Sequence, residues 1–167
     1  MQALFEISLA MKYFQKEITK IHLLDVFTPE ERQQTNFQVT INLASFLKTI
    51  KNLEVKVHFP VSENEVIKAL KSLRKNVTVT DGVILHILGH ADRGAKGFGN
   101  NTIFYIPWIN IRKKLAQINA ACNDGLIINT TCVCYGQSIF KLAEGKPRPF
   151  CGSWFYQSKH ITSMAAQ

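Results

Sequence analysis

The chain has 167 residues, of which 46% are apolar and 19% charged, with nine Gly and five Pro. That size and balance suit one α/β domain spanning 1–167 with a sizeable core, and they exclude disorder, collagen and coiled coil. The net charge is +8, which favours acidic partners in general. Beyond residue 80 the only acids are Asp81, Asp92, Asp124 and Glu144, too few for paired-carboxylate hydrolysis or a carboxylate-rich metal site there.

No apolar run approaches the ~20 residues needed to span a bilayer, so no membrane partner is expected. The opening stretch MQALFEISLAMKYF lacks a basic leader and a small-residue cleavage site, and Glu6 interrupts it. A cytoplasmic location is therefore expected, with the four cysteines held as reduced thiols.

Residues 2–18 carry Leu4, Leu9, Phe14 and Ile18 at spacings that suit a leading helix. Lys20 to Val26 is a short β-prone run that stops at Thr28-Pro29, and the polar residues 29–36 read as loop. Phe37 to Lys51 places Val39, Leu43, Phe46, Leu47 and Ile50 at helical spacing. Leu53 to Phe59 alternates strictly and ends at Pro60, a strand signal. Ser62 followed by Glu65 three residues later forms a capping box that opens a helix through Val66, Leu70 and Leu73.

Gly82 to Leu88 is almost continuously apolar, as in a strand buried on both faces of a parallel sheet. A Gly-rich loop follows over Gly89–Asn101, then a helix over Ile109–Ile118 and a buried-looking strand over Gly125–Thr131. A short helix over Ser138–Ala143 and a last strand over Pro149–Trp154 complete the pattern. Strands alternating with helices imply crossover connections, a mainly parallel sheet and helices on both of its faces, which makes a three-layer sandwich. In such sheets function gathers at the carboxyl ends of the strands.

Those ends carry Gly89-His90-Ala91-Asp92-Arg93-Gly94 and, one strand later, Cys132-Val133-Cys134-Tyr135-Gly136. An imidazole and a thiol on adjacent strand ends are the minimum equipment for thiolate attack on a carbonyl. Glycines there admit a substrate backbone, and amides in the turn near Cys134 can act as oxyanion donors. His86 reads as core, on the same face as His90 if the strand stays regular, and Cys122 reads as core near a helix end. Gly94 to Gly99 superficially resembles a phosphate loop but does not match Walker A. Arg112-Lys113-Lys114 is a compact basic cluster, read first as a solvated helix face.

Strand–His, a glycine-bearing loop and then strand–Cys-x-Gly resembles caspase-like cysteine peptidases, the broad class with caspases, gingipain- and separase-type enzymes and bacterial CHAT-type domains. Cys134 follows His90 by 44 residues, close to the roughly 50 of the caspase signature. The likeness extends over about residues 80–155, through Ile106-Pro107-Trp108 with its following helix and the closing Arg148-Pro149-Phe150-Cys151-Gly152-Ser153. It implies a peptide or protein substrate and no cofactor, with His90 as base and acid and Cys134 as nucleophile. Cys132 is the alternative nucleophile. Ala91 and Gly136 would lie at the oxyanion and substrate approach, with Gly89, Asp92, Tyr135 and Trp108 at the periphery.

Ala91 stands where the family has Gly, and the chain ends 13 residues after Trp154. Both features leave open a non-catalytic binding or regulatory module on the same scaffold. A zinc site of His90, Cys132, Cys134 and Cys151 is a lesser reading, because Cys-x-Cys lacks the usual ligand spacing. A nucleic-acid or nucleotide binder using Arg112, Lys113 and Lys114 is another.

Overall fold

The β-prone runs become strands in the computed structural model, which describes residues 16–34, 38–91, 96–100, 103–130 and 152–155. In chain order the elements are β1 (Ile18–Asp25), α1 (Pro29–Gln34), α2 (Gln38–Leu47), β2 (Glu54–His58), α3 (Glu63–Asn76) and β3 (Gly82–Leu88). There follow β4 (His90–Ala91), β5 (Gly97–Asn100), β6 (Phe104–Pro107), α4 (Trp108–Ala121), β7 (Leu126–Thr130) and β8 (Gly152–Phe155). One sheet runs in the order β2-β1-β3-β7-β8, with every neighbouring pair parallel. A second sheet, β4-β5-β6, is antiparallel.

The near-continuous apolar runs of β1 and β3 sit inside the sheet because both of their faces meet helices, and β7 pairs beside β3. On one face Leu24, Leu85, Ile87, Leu126 and Ile128 pack with Val66, Leu70 and Leu73 of α3 and with Ile111, Leu115 and Ile118 of α4. On the other, Ile21 and Leu23 meet Ala44, Leu43 and Leu47 of α2. Each fully buried Leu or Ile contributes about 1.5–3 kcal/mol, so this layering dominates the stability. The alternation of β2 suits its half-buried place beside β1.

Ser62 caps α3 as its spacing implies: the Glu65 amide donates to Ser62 Oγ at 3.3 Å, and the Glu65 carboxylate accepts from the Val61 amide at 2.9 Å. Other expectations change. Residues 29–34 are helix rather than loop, for a reason given with the site. The helix expected to run to Lys51 stops at Leu47, leaving Ile50 exposed beyond it, and Phe46 on the outer side of α2 is 59% exposed. The stretch Gly89–Asn101 read as loop contains β4 and β5. Gly97 and Gly99 allow that pairing, since a Cβ on either would strike the carbonyl oxygens of Ile106 or Phe104 on β6.

Helix α4 begins at Trp108, one residue before the expected start, and runs to Ala121. Buried Asn119 then turns the chain into β7, donating to Asp124 at 2.7 Å and accepting from the Leu126 amide at 3.1 Å. The leading helix over 2–18 lies outside the described residues up to 15, and Ile18 belongs to β1. The expected helix Ser138–Ala143 also lies outside them. The last strand is described as Gly152–Phe155, parallel to β7. No helix among the described residues is long and apolar enough to cross a membrane.

Candidate functional site at the carboxyl edge of the sheet

The chain leaves β1 to form β2 on one side, then returns past β1 to place β3 on the other. The strand order therefore reverses between β1 and β3. The connecting helices cover opposite faces, α2 on one and α3 on the other, so the chain exits of β1 and β3 diverge. Such a switch point opens a crevice at the carboxyl ends of the two strands. In register, Asp25 at the end of β1 lies beside Leu88 at the end of β3, and Thr130 at the end of β7 lies beside Ile87.

The β1 side of this crevice is built by a second capping box. Thr28 precedes Pro29 at the first position of α1, where a missing N–H costs nothing. The Glu31 amide donates to Thr28 Oγ1 at 3.1 Å, and the Thr28 amide donates to a Glu31 carboxylate oxygen at 2.8 Å. One turn on, Arg32 is buried and ties α1 to the ends of two strands. Its Nη2 donates to the Phe27 carbonyl at 2.6 Å, and its Nε lies 3.3 Å from Asp25 Oδ1. Its guanidinium lies over the Phe59 ring, 4.7 Å from the centroid. Asp25 also accepts from Thr40 Oγ1 at 2.8 Å and the Phe27 amide at 3.1 Å.

The β3 side supplies the histidine. His90 follows the strand by two residues, through Gly89, where a Cβ would strike the Val26 side chain and the Gly99 carbonyl. Pairing with Gly99 on β5 fixes the His90 backbone. Asn100, at the end of β5, donates to the Val26 carbonyl at 3.1 Å and locks the second sheet onto β1. The His90 ring is partly exposed, with the edge of Phe27 against it at 5.0 Å. Its Nε2 lies 2.8 Å from Glu31 Oε1.

Partial burial would raise the Glu31 carboxyl, but the Thr28 amide, the His90 ring and the Thr28 hydroxyl together hold it below the ordinary value. Glu31 is thus an anion at neutral pH and can only accept. His90 Nε2 must then carry the proton of the shared bond, which leaves Nδ1 as the acceptor of a neutral ring. A carboxylate that fixes the tautomer and orientation of an imidazole is the supporting half of a nucleophile–base–orienter arrangement.

The structure brings together His90 and Glu31, and leaves other expected residues in the core or outside its description. Trp108 is 1% exposed and packs on Phe98, 4.6 Å between ring centroids, so its place is in the core under α4 rather than at the crevice surface. Ala91 lies in β4 opposite Phe98. Asp92, Cys132, Cys134, Tyr135, Gly136 and Cys151 lie outside the described residues. Cys122 is fully buried, its Sγ donating to the Ile118 carbonyl at 3.2 Å, and burial pushes its thiol up, so it is no nucleophile. His86 is in the core, but β3 ends at Leu88, and His90 belongs to a different sheet rather than to a continued face of the same strand.

Glu31, Arg32 and Phe27 are the site residues that sequence reasoning missed. The signal was present in Thr28-Pro29-Glu30-Glu31, a capping box with proline inside it, of the same kind read correctly at Ser62-Glu65. No protein-family model matches the chain, and no curated protein matches it.

Proposed function

We propose that this chain is a caspase-like cysteine endopeptidase with the three-layer architecture of that class, in which Cys134 attacks the substrate and His90 moves the protons. The observation that carries this reading is the Glu31–His90 hydrogen bond of 2.8 Å in the crevice between β1 and β3. It equips the one histidine of the sequence motif as a base. The β3–β7 register adds to the support: Thr130 lies beside Ile87, and Cys134 is four residues further on, within a chain reach of about 14 Å.

In the proposed reaction Nδ1 of His90 takes the Cys134 thiol proton, and the sulfur bonds to the carbonyl carbon of the peptide. The carbonyl oxygen gains the charge, which backbone amides near Ala91 and Gly136 stabilise. The C–N bond breaks as His90 returns its proton to the leaving amine. Water, deprotonated by His90, then cleaves the thioester and regenerates the thiol. Throughout, Glu31 holds Nε2 and balances the positive ring. No cofactor enters this sequence.

The test is labelling by a peptide carrying a thiol-directed electrophile, followed from pH 5 to 9. A His-paired thiol reacts well below its free pKa of about 8.5. Labelling is expected to disappear in Cys134→Ala and to persist in Cys132→Ala. Equal labelling of wild type and Cys134→Ala overturns the assignment, and loss in Cys132→Ala alone moves the nucleophile to that residue.

A further inference from the structure

The outer surfaces of α3 and α4 meet along a groove of about 400 Å³. Helix α3 starts where β2 ends, at the His90 edge, and descends to the start of β3. The second half of α3 therefore lies towards the opposite edge of the sheet. The groove is lined by Lys68, Lys71, Arg74, Lys75 and Lys114 over a floor that includes Leu70. Among the described residues no carboxylate and no aromatic ring lines it. Among the described residues none of these five cations pairs with a carboxylate, whereas Lys20 and Lys56 elsewhere both pair with Glu54.

Five cations on two packed helices give this face a positive potential that draws anions to it. Lys68, Lys71 and Lys75 follow one helical ridge for about 10 Å, with Lys114 facing them from α4. Successive outward side chains of an extended peptide recur about every 6.6 Å, so such a chain can set two or three carboxylates against this ridge.

The chemistry of the lining distinguishes the kinds of anion. Single-stranded nucleic acid is held by stacking its bases on aromatic rings, which the groove lacks. Duplex DNA is too wide to enter a trough between two neighbouring helices. Four of the five cations are lysines, point charges suited to separate carboxylates rather than to bidentate phosphate recognition. We propose that the groove between α3 and α4 docks an extended acidic segment of a partner protein. This does not depend on the peptidase reading and would hold for a non-catalytic module as well.

The test is fluorescence anisotropy of the full chain with a labelled Glu-Ser repeat peptide of about twelve residues, long enough at ~3.3 Å per residue to run the length of the ridge. A Gln-Ser peptide of the same length is the neutral control. Binding of the acidic peptide alone is expected, weakening with salt. The double variant Lys71→Gln with Lys75→Gln should weaken it by about tenfold, as loss of two modest ion pairs implies. Lys114→Gln, on the other helix, should weaken it less, while Lys48→Gln at the end of α2 should leave it unchanged. Circular dichroism of each variant checks that the fold is retained, and Lys114→Gln keeps the test valid if the double variant unfolds. Equal affinity for the two peptides, or unaltered affinity in both groove variants, overturns the proposal. So does tighter, lysine-dependent binding of single- or double-stranded DNA of equal charge, which would assign the groove to nucleic acid.

Discussion

His86 and His90 are four residues apart, and the sheet treats them in opposite ways. His86 is inside β3, 6% exposed, between Leu23 of β1 and Asn129 of β7 in register. Burial alone pushes its ring down from 6.5 to about 4, so it stays neutral at physiological pH. His90 has left the strand, keeps part of its ring in solvent and shares a hydrogen bond with a carboxylate from the next strand exit. Desolvation makes the first an element of packing. Access, a fixed tautomer and an anionic neighbour make the second a group that can exchange protons. The switch point separates the two because it brings polar chain ends from two strands to one place.

The largest expected effect separates these roles directly. In the proposed peptidase, His90→Ala should lower kcat by about 10²–10⁴-fold, the usual contribution of a general acid–base, with little change in stability because the ring is partly exposed. His86→Leu should leave kcat near the wild-type level. Steady-state kinetics of both variants tests the contrast, and it breaks if His86→Leu is the more damaging.

Stability as a function of pH sharpens it further. His86 and His22 are both buried, each with its ring pushed down to about 4, the latter by burial and then by His58 and Lys56. Between pH 6.5 and 4 the unfolded chain binds protons at these rings that the folded chain refuses. The stability they permit is complete above about pH 6.5 and falls as the pH drops towards 4, by about 3 kcal/mol per ring. The lowered Glu31 carboxyl adds a loss of the same sign, present above its ordinary value and lost as acid protonates it. Urea unfolding at pH 7 and pH 4.5 measures this, and His86→Leu should flatten the profile.

Much of this was legible in the sequence, for a physical reason that differs by element. The interior strands β1, β3 and β7 showed because burial on both faces demands unbroken apolar runs. The position of His90 at a strand exit showed because it follows such a run directly. Helix α1 did not, since a proline and five polar residues carry no apolar period and its stability comes from Thr28, Pro29 and the anchoring of Arg32. The β4-β5-β6 sheet was hidden by glycines that read as loop but serve as close backbone contacts. Phe46 and Ile50 misled because helical spacing says which residues align, and cannot say which side finds a partner.

A change at Glu31 tests the orienting carboxylate without removing the ring it orients. Glu31→Gln keeps an oxygen that can accept from Nε2, but its amide can also donate and turn the ring to the wrong tautomer. A fall in kcat of about a hundredfold is expected, smaller than for the buried aspartate of a serine-protease triad because Glu31 is partly exposed. KM should change little, and the acid limb of the pH–rate profile should move. A fall in KM alone would place Glu31 outside the reaction.

The smallest effect asks whether α1 itself is the positioner. A helix of six residues is too short to persist unaided, so its cap and its arginine anchor must hold it. Thr28→Ala removes the hydroxyl that accepts from the Glu31 amide and should cost about 1 kcal/mol of stability. With the cap gone, the Glu31 carboxylate loses part of its fixed position while Arg32 still ties the helix to Phe27 and Asp25. The expected result is a drop in kcat smaller than that of Glu31→Gln, with both stability and rate restored in Thr28→Ser, which keeps the acceptor. If Thr28→Ala lowers the melting temperature but leaves the rate untouched, Arg32 alone positions Glu31, and Arg32→Met should then lower the rate where Thr28→Ala does not.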